Sequence, residues 1–333
     1  MSLNKPANNK KWLLWGGLGV LALGAGLCWW GTRVETRRYR LETIKLRTNS
    51  LVPAGKAGLD LGPADKNGMI TRRLRILHLS DLHLCGDDDH KVDFIRGITD
   101  DDYDMVVLSG DVFEYLDGLK YGPRLLTRRP RLGAYAVMGN HDYYDYSIFN
   151  KTFGRILRSK RHPRERNDIT PHRIALEAGG WTVLVNETVD LSLGAEDNIF
   201  VVGIDYPGIS DDDLQALMSK APEGALKLSV FHLPYQLQQM VRAGIHLGFG
   251  GHTHGGQVRL PGVGALITDS ELPRHEASGL VRRGESNFHI SRGLGADPRS
   301  NIRLFCPPAA TVVELEHTYM LATAPTAVQQ STI

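Results

Sequence analysis

Cysteine is scarce in this chain. Cys28, Cys85 and Cys306 are the three cysteines in 333 residues, odd in number and far apart. That excludes a disulfide framework and points to a reducing compartment. Charge of one sign is also missing: 39 basic against 37 acidic residues leave a net charge of +2, which favours neither nucleic acid nor an acidic protein as partner. Aromatic residues make up 8% of the chain, and all but one of the five Trp fall in its first 30 residues. There is no internal repeat. With 42% hydrophobic residues, the chain can bury one large core or two modest ones.

Long apolar runs are absent with a single exception. Residues 13–30 carry no charge and are built from Leu, Gly, Ala, Val, Cys and Trp. Roughly 20 apolar residues span a bilayer as helix, so this run is just sufficient. Trp12, Trp15, Trp29 and Trp30 sit at its two ends, where indoles favour the membrane interface. The competing reading is a cleaved signal peptide, but the run ends in Cys-Trp-Trp and no small-residue cleavage site follows. A retained single-pass anchor is therefore expected. Lys5, Lys10 and Lys11 before it nearly balance Arg33, Arg37, Arg38 and Arg40 after it. The small excess after the run, with the free thiols, places the following domain on the cytoplasmic side of the inner membrane.

Beyond the anchor, Leu41, Ile44 and Leu46 alternate with polar residues as in an edge strand, and residues 53–68 read as a linker rich in Gly, Pro and Asp. Short apolar runs at 76–79, 105–108, 134–138, 182–185, 199–203 and 228–231 have the length and composition of buried strands. Helix-compatible stretches lie at 92–99, 116–126, 211–219 and 235–243. This alternation predicts βαβ units and sheet that is at least partly parallel. Further strands are expected at 257–260, 287–291 and 311–315, and a frayed tail after His317.

The polar clusters that follow these runs carry the chemistry. They read Ser80-Asp81-Leu82-His83, Gly110-Asp111-Val112-Phe113-Glu114, Gly139-Asn140-His141-Asp142, Phe231-His232 and Gly250-Gly251-His252-Thr253-His254. Ligands of open α/β sheets bind beyond the carboxyl ends of strands, so all five clusters can converge on one edge. Asp, His and Asn offer the mixed oxygen and nitrogen donors that suit Mn, Fe or Zn. The absence of cysteine from this set argues against a closed structural zinc site.

Taken together and in this order, the five segments resemble the calcineurin-like metallophosphoesterase superfamily over residues 75–315. The resemblance implies a four-layer α-β-β-α sandwich behind the transmembrane helix. It makes Asp81, His83 and His254 ligands of one divalent ion and Asn140, His232 and His252 ligands of a second, with Asp111 bridging both. Mn2+ is the expected metal, with Fe or Zn as alternatives. His141 matches the histidine that contacts phosphate or protonates the leaving group. Glu114 matches the acid that orients this histidine, although a solvated loop carboxylate is an equal reading. Two metals held this way polarise both the attacking and the leaving oxygens of an in-line displacement.

Departures narrow the substrate. Tyr115 stands where phosphoprotein phosphatases carry arginine, and no tyrosine supplies the ligand of purple acid phosphatases. The stretches His252–Gln257, Ser291–Gly295 and Phe305–Pro308 look like a bacterial, membrane-associated branch, although Ala309 stands where that branch usually has Glu. Some members resemble the UDP-2,3-diacylglucosamine pyrophosphatase of lipid A synthesis, and others are phosphodiesterases. The expected domains are thus an anchor segment 1–33, an edge strand and linker 34–74, a catalytic domain 75–317 with a basic insertion at 151–173, and a tail 318–333.

That insertion, with Arg155, Arg158, Arg161, Arg164 and Arg166, is either a solvated loop or a cap for diphosphate or anionic headgroups. Arg292 and Arg303 are further candidates to meet substrate phosphate. Tyr143, Tyr144 and Tyr146 read either as a stack for a nucleobase or wall of an acyl groove or, more ordinarily, as packing, and His78 reads as a core residue. The expected partners are a phosphorylated lipid or nucleotide-diphosphate-linked substrate and the bilayer, with no obligate nucleic acid and no protein partner. The rivals are an exported broad-specificity phosphodiesterase and a metal-bound scaffold without turnover.

Overall fold

In the computed structural model, residues 9–52, 69–144, 166–191, 198–268, 270–296 and 301–321 are described. The strands are β1 (Arg40–Val52), β2 (Met69–Leu79), β3 (Met105–Ser109), β4 (Ala134–Val137), β5 (Thr182–Val183), β6 (Glu187–Asp190), β7 (Ile199–Ile204), β8 (Leu226–Phe231), β9 (Leu247–Gly250), β10 (Arg259–Leu260), β11 (Gly264–Ala265), β12 (Gly279–Arg283), β13 (Ser286–Ile290) and β14 (Ala309–Leu321). They form two six-stranded sheets, ordered β1-β14-β2-β3-β4-β5 and β12-β13-β9-β8-β7-β6, and a β10–β11 ribbon.

The side chains of β3 show why the layers form. Met105 and Val107 enter a core shared with Val201, Leu228, Val230 and Phe249 of the second sheet. Val106 and Leu108, pointing the other way by the period of two, join Val92, Ile95, Tyr121 and Leu176 of the elements that cover the first sheet. The second sheet repeats the pattern, with Phe200 and Val202 packed against Leu214, Met218 and Met240. The helices Asp211–Met218 and Leu237–Arg242 carry those residues. The helix–sheet–sheet–helix order is as expected.

Some expectations change. Residues 116–124 wind as a 3-10 helix rather than an α-helix, with Pro123 and the buried glycines Gly118 and Gly122 in it. The strand expected at 257–260 shrinks to β10. The frayed tail expected directly after His317 is a correction: β14 runs on to Leu321 and pairs with β1 on one side and β2 on the other. Tyr319 is buried within it. The expected linker at 53–68 lies outside the described residues.

The apolar N-terminal run folds as the helix Asn9–Arg33. Among the described residues, no helix is long and apolar enough to cross a membrane. Trp15, Leu18, Val20, Leu21, Leu23, Trp29 and Trp30 are all exposed on it. Its foot is docked, since the Gly31 carbonyl accepts the Arg303 backbone N–H at 3.0 Å.

Three imidazoles, buried His289 and His317 and half-buried His246, give the fold a pH limit. Burial pushes His246 and His289 down to about 4 and His317 to about 3, from the ordinary 6.5. The unfolded chain therefore takes up protons first as pH falls. The stability these groups contribute is complete above pH 6.5, and is lost as pH drops through about 4. A shift of this size corresponds to about 3 kcal/mol per group. Urea unfolding is expected to show a loss of several kcal/mol between pH 7 and pH 4. A flat profile across that range would contradict it.

Candidate metal centre

The strands β2, β3 and β4 are parallel, and so are β7, β8, β9 and β13. Their carboxyl ends consequently open at one edge of each sheet. Asp81 and His83 follow β2, Asp111 follows β3, Asn140 and His141 follow β4, His232 follows β8, and His252 and His254 follow β9. Backbone bonds draw these loops together. Asp81 N–H donates to Gly110 O at 2.9 Å, and His83 N–H to Asp111 O at 3.0 Å. Across the sheets, His252 N–H donates to Asp81 Oδ1 at 2.9 Å.

The ligand atoms of Asp81, His83, Asp111 and His254 lie within 4.8 Å of one another, and so do those of Asp111, His232 and His252. Asp111 is common to both groups. Its Oδ2 is 3.6 Å from His83 Nε2 and 3.4 Å from His232 Nε2. Asn140 Oδ1 lies 3.0 Å from His232 Nε2. The expected ligand set is therefore brought together complete.

Four observations fit this set to divalent cations. Its members are buried, apart from the half-buried His252. Asp81, His83, Asp111, His252 and His254 all hold positive φ, between 43° and 73°, a backbone region that non-glycine residues rarely adopt outside sites whose surroundings enforce it. Close approach is also built in: a Cβ on Gly139 would collide with the Asp111 backbone and carboxylate. Electrostatics agree. Burial opposes charge on Asp111, yet His232, His141 and His83 hold its carboxyl well below the usual range. Burial likewise opposes charge on His232, but Asp111 and Asp81 push it up to about 9. A pocket of buried carboxylates calls for positive charge.

His141 and Glu114 form a separate unit. Glu114 Oε2 accepts from His141 Nδ1 at 2.7 Å and from His83 Nδ1 at 2.9 Å. Because a carboxylate can only accept, both imidazoles are protonated at Nδ1, which leaves each Nε2 for the site. Glu114 is buried, so of its two readings the solvated loop carboxylate is the one the structure removes. Burial works against its charge, but the two histidines hold its carboxyl well below the usual range. His141 N–H also donates to Asp111 Oδ1 at 2.8 Å.

Sequence reasoning missed several supports. Asp142 accepts N–H bonds from Val112, Phe113 and Gly139 at 2.8–3.1 Å, locking the Asp111 loop to the Asn140 turn. Its position within Gly-Asn-His-Asp was the available signal. A buried chain links Asp81 Oδ2 to Ser80 (2.6 Å), Ser109 (2.7 Å), His78 (2.8 Å) and His289 (2.7 Å), crossing from β2 and β3 to β13. It fixes the orientation of the Asp81 carboxylate, as outer partners of metal ligands do.

The arginines come out differently. Arg303, an open candidate for contact with phosphate, is fully buried. It donates to the carbonyls of Gly295, Cys306, Arg292 and His254, so its charge serves the loops behind His254. Arg292 pairs with Glu42 of β1. Arg155, Arg158, Arg161 and Tyr146 lie outside the described residues. Arg166, at the end of the basic run, stands over the Tyr143 ring at 3.8 Å. Tyr143 and Tyr144 are packing residues, and Tyr143 OH donates to Asp205 at 2.6 Å.

Comparison with known proteins agrees with this geometry. The chain is 25% identical over 292 residues to the metallophosphoesterase YkuE of Bacillus subtilis, covering 86% of each chain. It is 26% identical over 219 residues to phosphodiesterase YaeI of Escherichia coli, covering 64% of this chain and 70% of that one. It is 26% identical over 283 residues to the UDP-2,3-diacylglucosamine pyrophosphatase LpxG of Chlamydia muridarum, covering 72% and 83% respectively. Residues 74–256 match the calcineurin-like phosphoesterase family, and the chain belongs to it, as a hydrolase of phosphoester bonds.

Proposed function

We propose that this hydrolase uses two divalent ions, Mn2+ in the first place, to cleave a phosphodiester or diphosphate bond at the membrane surface. The preferred substrate is UDP-2,3-diacylglucosamine, with UMP and lipid X as products. The observation that carries the two-metal reading is the Asp111 carboxylate shared by two ligand clusters. Asp81, His83 and His254 would complete one site, and Asn140, His232 and His252 the other. Bound there, the ions would supply Lewis acidity and a more acidic water.

The chain's own residues supply the rest. In the hydrolysis, the oxygen of water bonds to phosphorus and the bond to the leaving oxygen breaks. His141, protonated at both nitrogens with Nδ1–H given to Glu114, would deliver the Nε2 proton to that leaving oxygen, and the proton lost by the attacking water would restore it. The likeness to LpxG supports the substrate choice. The exposed apolar side chains of the helix Asn9–Arg33 favour a seat against the inner membrane, and the slight excess of basic residues after it, Arg33, Arg37, Arg38 and Arg40, favours the cytoplasmic side for the catalytic domain.

The likeness to YaeI favours a second reading, a broader phosphodiesterase. Assay of the Mn-loaded full chain separates the two. UMP release from UDP-2,3-diacylglucosamine at a kcat/KM well above that for simple diesters is expected. Hydrolysis of simple diesters without UMP release would leave the broader reading standing and remove the lipid A substrate.

A further inference from the structure

The helix Asn9–Arg33 is fastened to the catalytic domain at its foot. The Gly31 carbonyl accepts the Arg303 N–H, and a Cβ on Gly31 would meet Arg303 O at 2.8 Å and Ile302 at 3.0 Å. The Trp30 indole N–H donates to buried Glu35 at 2.8 Å. A 3-10 turn, Glu35–Arg37, leads on to Tyr39, whose ring packs on Phe94 and His90 with centroids 5.3 and 5.4 Å apart. Arg40 N–H then donates to Pro308 O at 3.0 Å. The turn is thus held at both ends.

The segment so held is the wall of a cavity. Thr36, Arg37 and Tyr39 line a space of about 200 Å3 whose other walls include His83, Asp87 and Asn301. It therefore runs from a candidate metal ligand to the foot of the apolar helix. Arg37, Asp87 and Asn301 are exposed, and among the described residues neither Arg37 nor Asp87 forms an ion pair. Arg33, Arg37, Arg38 and Arg40 are all exposed, whereas Glu35 among them is buried. A surface charged in this way attracts anionic head groups.

Volume decides what fits. A space of about 200 Å3 equals that of roughly seven waters, which accommodates a sugar-sized head but no acyl chain. Apolar surface for a chain lies next to it. Trp29 is 62% and Trp30 39% exposed, and the bond from Trp30 to Glu35 sets that indole beside the neighbour of Thr36 in the wall.

We propose that the segment 31–39 is part of the substrate site, and that this site takes an amphiphile held in the bilayer. The phosphorylated, hydroxyl-bearing head enters the cavity beside His83. Arg37 donates to its anionic oxygens, Asp87 accepts from a hydroxyl, and the tail stays against the apolar helix. Arg37 is then a specificity residue for the head. Gly31 is a positioning residue, because the close docking it permits sets where the wall stands relative to His83. This rests on the phosphoesterase reading of the Asp111 clusters.

Three diesters with one leaving group test it on the Mn-loaded full chain in phosphatidylcholine vesicles. They are bis(p-nitrophenyl) phosphate and the p-nitrophenyl phosphodiesters of methyl glucoside and of dodecyl glucoside. The dodecyl compound is expected to exceed the methyl compound in kcat/KM by at least about tenfold. Arg37→Ala should slow both glucosides, chiefly through KM, by about tenfold more than it slows bis(p-nitrophenyl) phosphate, the scale for loss of one hydrogen bond to a charged group. Gly31→Val should narrow the margin between dodecyl and methyl compounds, with metal content kept. Equal turnover of the two glucosides by the unsubstituted chain overturns the proposal. So does Arg37→Ala slowing all three diesters by the same factor, or none. Either result leaves the phosphoesterase reading intact as long as bis(p-nitrophenyl) phosphate is hydrolysed. Failure of the unsubstituted chain on all three overturns that reading, and the proposal with it.

Discussion

Replacing Asp111 with Ala is expected to lower kcat/KM on a phosphodiester by at least about 10³-fold, and to strip the protein of metal. The magnitude follows from the number of roles this carboxylate holds at once. It is common to both ligand clusters, so its loss removes a donor from each site in one step. Its Oδ1 also accepts the backbone N–H of His141, so the turn carrying that histidine loses an anchor. Removing a single preorganised electrostatic group from an active site commonly costs 10²–10³-fold, and in the proposed centre this one would serve two metals. Metal analysis after dialysis should find the variant nearly empty where the parent chain retains two ions. Asp111→Asn keeps the shape and one oxygen but loses the anion, and should fall between. A variant that kept both metals and most of its activity would show that Asp111 does not bridge.

The clustering of the candidate ligands was legible in the sequence because each segment follows directly on an apolar strand. Asp81, Asp111, Asn140, His232 and His252 lie one to three residues beyond the last residue of β2, β3, β4, β8 and β9, so strand ends and ligands are read together. Residue type did the rest, since Asp, His and Asn have few reasons to follow buried strands in five places. Longer-range partners were not legible. The parallel pairing of β1 with β14 joins residues such as Thr48 and His317 that lie 269 positions apart, and no local pattern announces it. The pairing also explains why β14 outruns its expected end, because strands on both flanks hold it in register to its last residues. Arg303 misled for a similar reason. An arginine is normally accessible, and only the five loop carbonyls converging on it in three dimensions show that its charge is used internally. Glu114 was undecided until two imidazoles were seen to donate to one of its oxygens.

That Glu114 arrangement leads to the second large effect. His141→Ala is expected to reduce kcat on a diester with a poor leaving group by about 10²–10⁴-fold, the range for loss of a general acid. Metal content should stay near that of the parent chain, because His141 is outside both clusters that share Asp111. The leaving group provides the sharper readout. With p-nitrophenol, which departs without a proton, the loss should shrink well below that for an aliphatic alcohol. Glu114→Gln should act through the same histidine, since a neutral amide oxygen accepts the Nδ1–H groups more weakly than the carboxylate and no longer stabilises positive charge on the ring. In the double variant the two losses should fall far short of multiplying, as for residues that work as one unit. Glu114 has a second client in His83, so its substitution should also loosen metal binding, which His141→Ala should not. If the two substitutions multiply, or if His141→Ala slows both leaving groups equally, His141 is no proton donor. Its place beside the phosphate would then be purely electrostatic.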